Sequence, residues 1–122
     1  MNRQNEIQAK LIKNLLEIVV LQLLSETPMH GYQAIKEIRR KHGVYFGPST
    51  IYPLLQALER KRLISGKWKM YRGRPRKTYQ LTVYGKNQLL LSLRFLTNLR
   101  IDITKEPSTA YNAVENIPST PA

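Results

Sequence analysis

Residues 49–58 read Ser49-Thr50-Ile51-Tyr52-Pro53-Leu54-Leu55-Gln56-Ala57-Leu58. Ile51, Leu54, Leu55 and Leu58 recur at steps of three and four, the period of one buried helix face. With that stripe turned inward, Ser49, Tyr52, Pro53, Gln56 and Arg60 share the opposite face. A tyrosine and a proline at the amino end of an outward face suit a helix that inserts its N-terminus into a groove. Gly47-Pro48 makes the preceding turn, and Ser49 offers a hydroxyl suited to the N-cap. Pro53 falls near the first turn, where few backbone donors have intrahelical partners.

Downstream, Leu63–Tyr71 and Lys77–Thr82 read as two short strands, in which Trp68, Met70, Tyr79 and Leu81 alternate with polar residues. Arg72-Gly73-Arg74-Pro75-Arg76 between them reads as a hairpin tip. Upstream, a helix from about Gly31 to Lys41 turns Ile35 and Ile38 inward and ends at His42-Gly43. Before it, the apolar residues from about Gln8 to Ser25 predict one largely buried helix, stopped at Thr27-Pro28. A last helix, about Tyr84 to Ile101, is apolar over more than half its circumference, so one face can pack on the domain and the rest needs a partner. The expected fold is mainly α with a small β-hairpin: a winged helix-turn-helix over residues 1–83 and a dimerisation helix over 84–103. Residues 104–122, rich in Pro, Ser, Thr, Ala and Asn, predict a disordered tail.

Charge narrows the partner. The 122 residues carry 20 Lys and Arg against 8 Asp and Glu, a net +12 that calls for a polyanion, most simply nucleic acid. From Arg60 to Lys77 there are nine basic residues and no acid. Self-repulsion of that density makes sense where phosphates neutralise it. The eight carboxylates form no convergent pair and there is no nucleophile–base set or phosphate loop, so no catalytic residues and no enzyme are expected. Without cysteine, and with His30 and His42 as the two histidines, neither a disulfide nor a metal site is expected, and no cofactor. The apolar run Leu15–Leu24 is interrupted by Glu17 and Gln22, too short for a bilayer and unlike a signal sequence, which implies a soluble cytoplasmic protein.

Roles follow from placement. Tyr52 can reach a phosphate or base edge from the helix amino end; Ser49 can cap the helix or meet phosphate; the Thr50 methyl can meet a thymine methyl. Gln56 and Arg60 can contact base or phosphate, and Tyr32, opening the preceding helix, the backbone. Arg72, Arg74, Arg76 and Lys77 carry the wing's charge along the backbone or into the minor groove. Arg72-Gly73-Arg74-Pro75 also has the look of an AT-hook core, although its flanks are strand-like. Leu89, Leu93, Phe95 and Leu96 exceed one core stripe and predict a dimer interface, to which Leu11 and Leu15 of the first helix are also assigned. An RNA-binding role lacks the aromatic sheet platform it would use.

Several of these segments together resemble a PadR-type transcriptional regulator over about residues 11–85. The resemblance is carried by Met29-His30-Gly31-Tyr32, by Ser49-Thr50-Ile51-Tyr52-Pro53-Leu54-Leu55 with Leu58-Glu59, and by Gly73-Arg74-Pro75-Arg76-Lys77-Thr78-Tyr79-Gln80-Leu81-Thr82. It implies a homodimer that binds double-stranded DNA, usually as a repressor, with the last helix exchanging contacts with its partner and a small aromatic effector as a possible ligand. The single C-terminal helix is similar to the short branch of the family. Two positions depart from the pattern. Arg62 stands where the family commonly has glycine, and the one tryptophan is Trp68, in the wing, so sensing through a tryptophan on the dimer helix is not supported. The expected activity is sequence-specific regulation at an inverted repeat; the alternative, from charge alone, is non-specific architectural coating of DNA.

Overall fold

The computed structural model describes residues 2–106. Along the chain run α1 (Arg3–Asn14), α2 (Leu16–Glu26), β1 (Met29–His30), α3 (Gly31–His42), α4 (Pro48–Arg60), β2 (Ile64–Tyr71), β3 (Arg74–Leu81) and α5 (Val83–Ile103). The strands form one antiparallel sheet in the order β1-β3-β2. The mainly helical winged fold is as expected. The chain divides inside α5 into two compact units, one ending at Ser92 and one starting at Leu93. Residues 107–122 of the expected tail lie outside the described residues.

The core of the first unit is built by Val20 and Leu21 of α2, Ile38 of α3, Ile51, Leu55 and Leu58 of α4, and Ile64 of β2, all fully buried. Each such side chain contributes about 1.5–3 kcal/mol by leaving water. Three of the four residues of the stripe 51-54-55-58 are buried, so the outward face of α4 is the one that its spacing predicts.

The expected single helix over 8–25 is two helices. Leu15 leaves helical geometry (φ −105°, ψ 11°), and its N–H is shared between the carbonyls of Leu11 and Ile12 at 3.2 and 3.1 Å. Beyond this kink α2 buries five residues, whereas α1 buries none. Apolar spacing continues through the bend, so periodicity alone merges the two. β1 was not expected, because two residues are too few to show a period; Met29 pairs with Tyr79 and His30 with Thr78.

The corner after α4 holds the wing to the helices. Arg62 N–H bonds to the Glu59 carbonyl at 2.9 Å and Leu63 N–H to that of Leu58 at 3.0 Å, a Schellman ending. Its left-handed position, usually glycine, is Arg62 at φ 63°. Thr82 then caps α5: its hydroxyl donates to the Arg62 carbonyl at 2.6 Å and accepts from Gly85 N–H at 3.1 Å. A Cβ at Gly85 would overlap the Leu63 carbonyl oxygen, so the close approach of α5 to this corner requires glycine.

The wing tip is tighter than expected. Arg72 and Gly73 alone form the turn, with φ 51° and 76°, the two positive values a type I′ hairpin needs. Arg74, Pro75 and Arg76 belong to β3 rather than to a loop. Pro75 faces Met70 in a non-hydrogen-bonded pair, and β1 ends short of it, so its missing N–H costs the sheet nothing. The AT-hook-like residues are therefore set in a hairpin and not in an extended tail.

Candidate nucleic-acid interface

Three elements bring polar and aromatic side chains to one side of the first unit. The first is the amino end of α3. His30 caps it, with Nδ1 accepting from Gln33 N–H at 3.2 Å. The Tyr32 ring stacks on His30 at 6.5 Å between centroids, and Lys36 Nζ sits 5.6 Å from the Tyr32 ring centre.

The second is the amino end of α4. The N-cap is Gly47, not Ser49, and no side chain caps the helix, since Pro48 takes the first helical position. Ser49 is consequently exposed in the first turn, where the N–H groups of Thr50 and Ile51 both bond to the Gly47 carbonyl at 3.0 Å, and Thr50 is partly covered behind it. Pro53 lies in the second turn, deeper than expected, and leaves the Ser49 carbonyl without its usual donor. The Tyr52 ring rests on Gly31: a Cβ there would stand 2.5 Å from Tyr52 Cε1. The ring is still 40% exposed. Tyr52 thus packs on a neighbour and faces solvent at once.

The third is the wing. Tyr32, Tyr52, Gln56, Arg76 and Lys77 line one concavity of about 410 Å³ together with His30, Trp68, Pro75 and Tyr79. Arg72 and Arg74 stand exposed at the tip. The Arg76 guanidinium lies over the Tyr71 ring at 4.5 Å, and its Nη1 is 2.9 Å from His30 Nε2. A neutral imidazole has one acceptor nitrogen, so His30 serves either Gln33 N–H or Arg76, not both, and Arg76 is weakly held. Arg60 is exposed but stands eight residues from Tyr52, about 12 Å along the helix, and does not line the concavity.

Lys77 differs from the other wing cations. Its Nζ donates to Glu59 Oε1 at 2.7 Å, while Glu59 Oε2 accepts from Gly66 N–H at 3.0 Å. The carboxylate ties α4 to both wing strands and neutralises one charge of the basic run from the position just before it. The hydrogen bond from Lys77 holds the Glu59 carboxyl below its ordinary pKa, and the same bond raises that of Lys77. Burial, then the nearby charges of Arg76 and Lys36, lower that of His30. Burial pushes the Tyr79 phenol up.

Trp68 and His30 also line this concavity and Glu59 braces the wing against α4, three placements that the sequence alone does not indicate. The period-two alternation of β2 puts Trp68 and Met70 on one face of the hairpin, and only the root of that strand is covered. Among the residues expected at a dimer interface, Leu11 is exposed and Leu15 sits partly covered at the kink. Leu89 is 3% exposed and belongs to the core of its own chain, whereas its neighbours Leu90 and Leu91 are exposed. In the second unit Phe95 is 65% exposed, and Leu93 and Leu96 are partly so. Among the described residues there is no cluster fit to hold a metal ion, and no helix is long and apolar enough to cross a membrane.

A helix-turn-helix whose second helix shares one concave basic face with a β-hairpin defines a winged-helix protein. The chain belongs to the transcriptional regulator PadR-like family, whose model matches residues 20–90. Members of that family are transcription regulators, not enzymes. The transcriptional regulator Rv3488 of Mycobacterium tuberculosis is 30% identical over 84 residues, 69% of this chain and 78% of that protein. A PadR family transcriptional regulator from Eggerthella lenta has a similar structure, with TM-score 0.73 and 28% identity over 82% of this chain and 88% of that one. Bacillus subtilis PadR, solved in complex with operator DNA, gives TM-score 0.61 and 27% identity, covering 65% of this chain and 45% of that one.

Proposed function

We propose that this regulator binds double-stranded DNA in a sequence-specific manner, as a homodimer on an inverted repeat, and that it represses. The observation that carries the reading is the shared concavity: Tyr52 and Gln56 of α4 stand beside Arg76 and Trp68 of the wing. With α4 in a major groove, amino end first, the tip arginines reach the flanking backbone. The Bacillus subtilis relative, solved with operator DNA, supports this use of the fold. Ser49, Thr50, Tyr52, Pro53 and Gln56 read or fit the groove; Tyr32, Arg60, Arg72, Arg74 and Arg76 serve phosphates. The repressor role follows the family resemblance.

The dimer is favoured by apolar side chains that one chain leaves uncovered: Ile7 and Leu11 on α1, Leu91 on α5, and Phe95 in the second unit. Phe95→Asp is expected to shift sedimentation from dimer to monomer. An aromatic effector would act by preferring a protomer spacing that misfits two half-sites, which calorimetry with planar aromatics tests directly.

Binding to a preferred site and to scrambled DNA separates this reading from non-specific coating. Tyr52→Ala is expected to erase the preference, while Arg74→Ala weakens both DNAs alike and lowers the slope of log K against log salt by about one. Equal loss on both DNAs from Tyr52→Ala would favour the architectural reading.

A further inference from the structure

Trp68 and Met70 are 69% and 70% exposed, unusual for two large apolar side chains on a strand bordered by cations. In the hairpin register Trp68 faces Lys77 and Met70 faces Pro75, so the three apolar groups stand on one face of the wing. That face begins in the core, at Ile64 and Tyr79, and runs outward past the end of helix cover. Lys67, Lys69, Arg74 and Arg76 project from the opposite face of the same strands. Trp68 and Pro75 line the same concavity as Tyr52 and Gln56, which places the apolar ridge on the side that α4 presents to DNA.

We propose that Trp68, with Met70 and Pro75, forms an apolar wedge that enters the DNA minor groove flanking the half-site read by α4. Three observations select this occupant. The ridge is continuous with the α4 face; the reverse of the same two strands carries the cations, of which Arg76 also lines the shared concavity and can meet a flanking phosphate; and the apolar crest suits the sugar edges and base floor of the groove. The inference rests on the DNA-binding reading above and adds a second mode of recognition to it. The wing arginines neutralise phosphates irrespective of sequence, whereas the wedge favours flanks that open or unstack easily, such as pyrimidine–purine steps.

Trp68 is the one tryptophan of the chain, so its emission reports this contact without labelling. Binding is followed by anisotropy of a labelled duplex carrying the preferred site, and tryptophan emission is read in the same samples. On binding, Trp68 emission is expected to be quenched and shielded from acrylamide, and a minor-groove ligand seated in the flank restores the free-protein signal. Trp68→Ala is expected to weaken binding about tenfold with an unchanged salt slope, because no phosphate contact is lost. Trp68→Phe retains most of the affinity. The side chain is exposed, so circular dichroism of both variants should match the parent. Anisotropy that reports binding while Trp68 stays accessible overturns the wedge and leaves the DNA reading intact. Absence of binding to any duplex removes both. Trp68 emission that shifts with anionic phosphatidylglycerol vesicles and not with DNA would assign the ridge to a membrane surface instead.

Discussion

Glu59 accepts from Lys77 Nζ at 2.7 Å with one carboxylate oxygen and from Gly66 N–H at 3.0 Å with the other. One side chain at the end of α4 thereby fixes the position of both wing strands relative to that helix. Glu59→Gln keeps an oxygen for Gly66 but gives up the charge, which frees Lys77. Faster amide exchange in β2 and β3 is expected, together with tighter binding to scrambled DNA and a salt slope steeper by about one. An unchanged exchange pattern would show that packing alone orients the wing.

Gly31 sets the place of Tyr52. A methyl group there would stand 2.5 Å from Tyr52 Cε1, so Gly31→Ala must push the ring aside. The ring is partly exposed and can move without unfolding the domain. Affinity for the preferred site should fall about tenfold, the cost of one good contact of roughly 1–3 kcal/mol, while affinity for scrambled DNA is kept. Competition binding on the two duplexes measures both.

Arg62 occupies a left-handed helix-end position at φ 63°, where glycine is the unstrained choice. Arg62→Gly is therefore expected to stabilise the domain by about 0.5–1 kcal/mol, after allowing for the greater freedom of glycine in the unfolded chain. Chemical denaturation with an unchanged m-value is the appropriate measurement. The same substitution removes one cation of the basic run.

Acid should weaken the fold in two steps. The His30 pKa is lowered in the folded chain, so the unfolded chain takes up the proton first as pH falls through the ordinary histidine range near 6.5. Stability is full above that range and declines below it, as protonation would also strip Nδ1 from Gln33 N–H and repel Arg76. The Glu59 pKa is lowered too, so its contribution is present above the ordinary carboxylate value and is lost as pH falls through its folded value. Thermal midpoints between pH 7.5 and 5.5, about one unit either side of the histidine range, test the first step. His30→Asn, which can still cap α3, should flatten it.

Much of this was legible in the residues themselves. The stripe Ile51, Leu55, Leu58 oriented α4, and with it the outward Tyr52 and Gln56. The alternation after Leu63 located the hairpin, and charge density named the partner class. What escaped depended on geometry that no local period encodes. The kink at Leu15 leaves apolar spacing intact, β1 exists only because β3 passes beside it, and Pro48 at the first helical position moved the cap from Ser49 to Gly47. The exposure of Trp68 is not readable from its strand, because alternation does not record where the helices beneath it end. Glu59 lay one residue before a basic run and gave no sign that it would hold Lys77.

Recognition of an inverted repeat through α4 can be read by selecting bound duplexes from a random DNA pool. A palindromic consensus is expected, with half-site centres about 10 base pairs, or a multiple, apart, and its enrichment should disappear when Tyr52→Ala protein is used. A pool that remains random after repeated rounds of binding, while the protein still retains DNA, would contradict it.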